Sequence, residues 1–77
     1  MKSIGKISFN YYNNRYGILN NMNLWHNDGL HCGECLEVFV NGKWIKDRIE
    51  MRWNSENDEY YLVNTKITEL EGLKVKY

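Results

Sequence analysis

The stretch "CLEVFVNGKWIKDRIEM", residues 35–51, decides how this chain folds. Asn41-Gly42 stands between two runs in which apolar and polar residues alternate. A tight type I′ turn needs positive φ at both central residues, which Asn and Gly tolerate best, so the segment reads as a β-hairpin. A two-residue turn also sets the register. Val40 then faces Lys43, Phe39 faces Trp44, Val38 faces Ile45 and Glu37 faces Lys46. One side of the hairpin carries Leu36, Val38, Val40 and Ile45 toward a core. The other carries Glu37, Phe39, Trp44 and Lys46, an aromatic pair beside a charge pair, each contributing a few tenths to about 1 kcal/mol. Continued strictly, the register puts Asp47 on the core side beside Leu36. A bulge or bend near 46–48 would relieve that placement, after which Ile49, Met51 and Trp53 resume the inward alternation.

Outward from the hairpin, short β-like runs are separated by Asn and Gly. "KISFNYY" alternates Ile7 and Phe9 with polar residues, and Asn13-Asn14 turns the chain into "RYGIL". Residues 20–29, "NNMNLWHNDG", read as a loop anchored by Leu24 and Trp25. "NSENDE" at 54–59 is a polar turn, "YYLVNT" another strand, and "GLKVKY" a last short one. Residues 66–70 have room for a single helical turn, too short to stand alone. Five to six short antiparallel strands with turn signals between them predict an all-β fold, a small barrel or sandwich.

Residues 1–77 make one domain. A chain of this length buries only about 60–65% of its unfolded surface, so its core is small. The composition, 43% hydrophobic and 26% charged with three Trp, six Tyr and two Phe, is globular and argues against disorder. Proline is absent, which leaves the turns to Asn and Gly. Ten basic and ten acidic residues cancel, and zero net charge weighs against non-specific nucleic-acid binding without excluding a local patch. No apolar run reaches membrane-spanning length, and "MKSIGKISFN" lacks the apolar region of a signal peptide. The expected location is cytoplasmic, where two cysteines stay reduced.

"LHCGECLEV", residues 30–38, holds both cysteines and one of the two histidines. Zinc needs about four ligands, and Cys32, Cys35, His31 and His26 are the candidates. The second half of the usual signature is missing, and Cys35 runs at once into an alternating strand. A redox Cys-x-x-Cys normally caps a helix, whereas here a strand follows. The simpler reading is a tight turn, bent at Gly33, that leads into a strand, with the cysteines as small hydrophobes. A Cys nucleophile beside His26 or His31 lacks an orienting third group. Glu34 and Glu37 are more simply solvent-facing than an acid–base pair. Gly29 and Gly33 lack the strand-to-helix setting of a phosphate loop. No cofactor, no metal and no catalytic residue are expected, and the chain does not read as an enzyme.

Trp25, Phe39, Trp44, Tyr60 and Tyr61 exceed what so small a core readily absorbs. Trp44 covering one end of the core over Phe39 is the plain explanation. The functional one is a shallow aromatic surface for an extended peptide or for stacked bases, with Arg48 and Arg52 along the next strand.

The pattern CGE-x-LEV-x-x-x-G-x-W-x-x-x-RIE, followed by "YYLV" and "LEGLKVKY", resembles the bacterial domain-of-unknown-function 5348 family across residues 15–77. Gly33, Glu34, Leu36, Val38, Gly42, Trp44, Arg48, Ile49 and Gly72 sit where that pattern has them. The order of turn, strand, Gly, Trp, strand and "YYL" also looks like an SH3-like barrel. The resemblance implies small proteins of Firmicutes and their mobile elements, accessory proteins that bind host factors, and it supplies no activity and no catalytic residue.

The leading expectation is therefore a non-enzymatic SH3-like interaction module that binds a protein partner through Trp44, Phe39 and Trp25, flanked by Arg48 and Lys46. The alternative is nucleic-acid binding around the same aromatics, using Lys43, Lys46, Arg48 and Arg52. A third class is capture of a small ligand such as a nucleotide at a subunit interface. So small a core gains from dimerisation, and monomer and homodimer are both compatible with the sequence.

Overall fold

The computed structural model describes residues 3–53 and 58–77, with the side chains of 53 and 58 left aside. Seven strands form: β1 (Ile4–Asn10), β2 (Arg15–Leu19), β3 (Trp25–Asn27), β4 (Cys35–Val40), β5 (Lys43–Trp53), β6 (Asp58–Leu62) and β7 (Lys74–Lys76). The all-β expectation holds, with one strand more than the upper figure, because residues 25–27 pair where a loop was expected. The strand order is β3-β2-β1-β7-β4-β5-β6, and all the ladders are antiparallel. The last strand in sequence thus lies in the middle, joining the β1–β2 wing to the β4–β5–β6 wing.

The hairpin has the predicted register, with Val40 opposite Lys43, Phe39 opposite Trp44, Val38 opposite Ile45 and Glu37 opposite Lys46. Its turn has positive φ at both Asn41 (51°) and Gly42 (79°), as a type I′ turn requires. Asn14 and Asn23 supply further positive-φ turns in the absence of proline.

The buried residues Ile7, Ile18, Leu30, Leu36, Val38, Ile49, Leu62, Leu70 and Val75 form the core. On the strands they occupy alternate positions, so they line a single inner face. The sheet curls around this face until its wings meet through side chains. Phe9 and Tyr16 touch edge to face at 5.1 Å, and Tyr16 meets Tyr60 of β6 at 5.8 Å. The two ends of the strand order, β3 and β6, share no ladder among the described residues, so the sheet stays open and is not a closed barrel.

Several expectations need correction. The β4–β5 ladder continues unbroken through Leu36–Asp47 and Cys35–Arg48, so the bulge near 46–48 is absent. Ile49 points inward as expected, but Met51 is 38% exposed. The expected inward side chain of Trp53 and residues 54–57 of the turn expected at 54–59 lie outside the described residues, while Asp58 and Glu59 already belong to β6. Leu24 and Trp25 are not core anchors: they are 59% and 39% exposed, because β3 sits at the sheet edge. Residues 66–70 contain no helical turn; the chain bends at Lys66 with φ 61°, and Leu70 drops into the core. Among the described residues no helix is long and apolar enough to cross a membrane.

Candidate functional site

The residues from His31 to Glu34 form a turn into a strand. Gly33 has φ 85°, and its N–H donates to the Ile49 carbonyl at 2.7 Å. The Ile49 N–H returns a bond to the Glu34 carbonyl at 3.1 Å, so the turn extends the β4–β5 ladder by one step. The Glu34 carboxylate accepts from the His31 N–H at 2.7 Å, which leaves it a capping group rather than a free acid. Cys32 and Cys35 are exposed and unpaired. The histidines part company. His31 Nδ1 lies 3.1 Å from the Arg15 guanidinium, while His26 stacks on Tyr77 with ring centroids 3.9 Å apart. Among the described residues no group of three or more His, Cys, Asp or Glu side chains comes together to hold a metal ion.

Asp47 is 7% exposed and points to the inner face, as the strict register requires. Its Oδ1 accepts from the N–H groups of Arg48 at 2.8 Å and Asn64 at 2.7 Å. Its Oδ2 accepts from the Thr65 N–H at 2.9 Å and the Thr65 hydroxyl at 2.8 Å. Burial pushes this carboxyl up, but the N–H donors of Asn64, Thr65 and Arg48 and the Thr65 hydroxyl outweigh it, so the net shift is below the ordinary value. The group is structural: it pins the turn after β6 to β5.

Alternation along the strands sorts the remaining candidates onto one surface. Phe39, Trp44, Lys46 and Arg48 project from the outer face, opposite the core. Trp25 pairs with Leu19, which pairs with Lys6, so Trp25 shares that face. Its ring lies over Gly17, where an added Cβ would come within 2.9 Å of it. All five expected binding residues therefore share the outer face, with Trp25 toward one end. Phe39 and Trp44 touch with centroids 5.0 Å apart. Arg48 is paired with Glu50 at 3.3 Å.

Of the further cations proposed for nucleic acid, Lys43 falls outside this face, because it lies opposite Val40 at the hairpin tip. Arg52 lies on it but is held at the far end by Glu59 at 3.6 Å and over the Tyr61 ring at 4.6 Å. Tyr60 turns inward against the core. A shallow cleft of about 500 Å³ borders the face between Cys35, Lys46, Arg48, Val63 and Asn64.

The structure adds residues that sequence reading missed. β7 inserts between β1 and β4, and Lys74 and Lys76 join the outer face. The Lys76 ammonium sits 4.3 Å from the Trp44 ring centroid and that of Lys74 5.3 Å from Phe39. Lys6 stands directly opposite Lys74. The alternation Lys74-Val75-Lys76 signals that both lysines share a face. Which strands flank them is a matter of topology.

A family described as "Domain of unknown function (DUF5348)" has a sequence model that matches residues 5–77. A crystal structure of a protein from Ruminococcus gnavus, solved by the Northeast Structural Genomics Consortium, is 34% identical to this chain. The match covers 96% of this chain and 99% of that one, with a TM-score of 0.79. Comparison with curated proteins finds no match.

Proposed function

From a chain that belongs to the domain-of-unknown-function 5348 family, and from the surface its sheet presents, we propose a non-enzymatic binding module whose working surface is the outer face of the sheet. The observation that carries this reading is that the β4–β5 hairpin sets Phe39, Trp44, Lys46 and Arg48 on that one face, which Trp25 of the edge strand β3 shares at its far end. Half-exposed aromatics beside cations are poor core and good contact surface: rigid, large and tipped with charge. The reading places the protein in a reducing, cytoplasmic setting, consistent with two unpaired exposed cysteines. It also suits an accessory protein of a mobile element, which acts by occupying a partner rather than by chemistry.

The test is amide and indole NMR on the whole chain during titration with a panel of peptides and oligonucleotides. Resonances that respond should cluster at Phe39, Trp44, Lys74 and Lys76, and Phe39→Ser with Trp44→Ser should abolish the response while the chain stays folded. Responses centred on the 31–35 turn, or on the cleft beside Val63 and Asn64, would remove the outer face as the binding surface.

A further inference from the structure

The strand register lines up a continuous row across the outer face. Trp25 of β3 lies opposite Leu19 of β2, Leu19 opposite Lys6 of β1, and Lys6 opposite Lys74 of β7. Lys74 then overhangs Phe39 of β4, which lies opposite Trp44 of β5. The row crosses five interstrand steps, about 24 Å along the sheet. Beside it run Lys76 and Lys46, with Glu37 between them.

One feature of this row is unfavourable for the protein alone. Lys6 and Lys74 are like charges directly opposite one another, an arrangement that destabilises a sheet. Glu50 and Glu59 are held by Arg48 and Arg52 at 3.3 and 3.6 Å. Part of the balancing acid is engaged away from this row, and part lies on the same face. Asp47 is buried under the turn, Glu34 caps His31 and Glu71 accepts from the Phe9 N–H, while Glu37, Glu50 and Glu59 share the outer face with six cations, Lys6, Lys46, Arg48, Arg52, Lys74 and Lys76. Zero net charge thus conceals a local concentration of ammonium groups, which concentrates anions at this face.

We propose that the outer face binds single-stranded nucleic acid, phosphates on Lys6, Lys74, Lys76 and Lys46 and bases on Trp44 and Phe39; this rests on the reading of that face as the binding surface. β1, β7 and β4 are interior strands whose backbone groups are used within the sheet. A peptide laid on this face therefore finds no ladder to join, and the free edges β3 and β6 are where one would add. A nucleic-acid strand needs no ladder. It asks for cations spaced along a track and aromatic faces between them. Lys74 and Lys76 stand about 7 Å apart along β7, and Lys6 about 5 Å across from Lys74. Both ammonium groups now rest on the rings they would uncover: phosphates draw Lys76 off Trp44 and Lys74 off Phe39, which frees the π faces for stacking. The row accommodates a short site, about four to six nucleotides.

The test titrates the whole chain into a labelled single-stranded oligothymidylate of about 12 nucleotides, a matching duplex and a labelled polyglutamate peptide, over roughly 50 to 200 mM salt. The single strand should bind best, with affinity that falls steeply with salt. Lys74→Gln should lower the salt slope by about 0.7. By relieving the Lys6–Lys74 repulsion it should also raise Tm by about 1–4 °C. Trp44→Leu should weaken the single strand about tenfold at unchanged slope. Polyglutamate or duplex bound as tightly as the single strand, indifferent to Trp44→Leu, would reduce the face to plain charge attraction and overturn the proposal. Preferred, Trp44-dependent binding of polyglutamate would overturn it in favour of an acidic protein while keeping the face. No binding of the oligonucleotide at low salt also overturns it. Loss of the native circular dichroism in Trp44→Leu would instead sink the reading of the face itself, and Lys74→Gln would then decide the nucleic-acid question alone.

Discussion

Asp47 is where the sequence pattern and the simplest physical rule pull apart. Alternation places it inward, and a carboxylate in a small core is costly unless its oxygens are satisfied. A bulge is one way out. The chain takes the other, bringing the N–H groups of Asn64 and Thr65 and the Thr65 hydroxyl to it from beyond β6. The strand can therefore stay regular. Asp47→Asn puts an amide N–H₂ where donors already point, and a loss of about 1–3 kcal/mol is predicted, measured by urea unfolding at neutral pH. The pH dependence has a definite sign. The folded carboxyl lies below its ordinary value, so its stabilisation is present above the unfolded value near 3.9 and is lost as pH falls through the lower folded value. The gap between wild type and Asp47→Asn should close in that acid range. A gap unchanged at acid pH would mean that ionisation of Asp47 contributes nothing.

The β4–β5 hairpin was the most legible element, because every local signal in it agrees. Turn chemistry, alternation and cross-strand pairing all specify the same register. At Gly42, with φ 79° and open space around an added Cβ, only backbone strain opposes a side chain. Gly42→Ala is thus predicted to cost about 1–2 kcal/mol, with no change in Trp44 fluorescence in the folded state. A neutral substitution would argue against the type I′ turn. β3 was the least legible. "WHN" has no alternation long enough to count, and it pairs only because Gly17 lets β2 approach it closely, with a register shift between Ile18 and Leu19. The element near 66–70 was misread for a related reason: "KITEL" has helical propensity, but with Lys66 at positive φ and Leu70 in the core it is a strap over the sheet end.

For the whole molecule, the division between inner and outer faces separates the residues that hold the fold from those proposed to bind. Ile49, 1% exposed, belongs to the core, and Ile49→Ala is predicted to cost about 2–5 kcal/mol, a large part of what a domain this size possesses. Trp44→Ser removes a half-buried cross-strand contact with Phe39 and should cost about 1 kcal/mol, less than Ile49→Ala, in the same urea titration. If the two losses are equal, Trp44 is core and the outer face is not a binding surface.

The chain by itself determined the all-β class, the central hairpin with its register, the inward and outward faces of β4 and much of β5, and the turn at Gly33. All of these rest on interactions within a few residues, where turn geometry and period-two alternation leave one arrangement. Only the tertiary structure decided that β7 enters between β1 and β4, that the sheet curls without closing, and that Asp47 finds its donors. It also decided that Lys74 and Lys76 stand over Phe39 and Trp44, with Lys6 across from Lys74. Those outcomes depend on which distant strands share a ladder, and alternation says which way a side chain points, never which strand lies beside it.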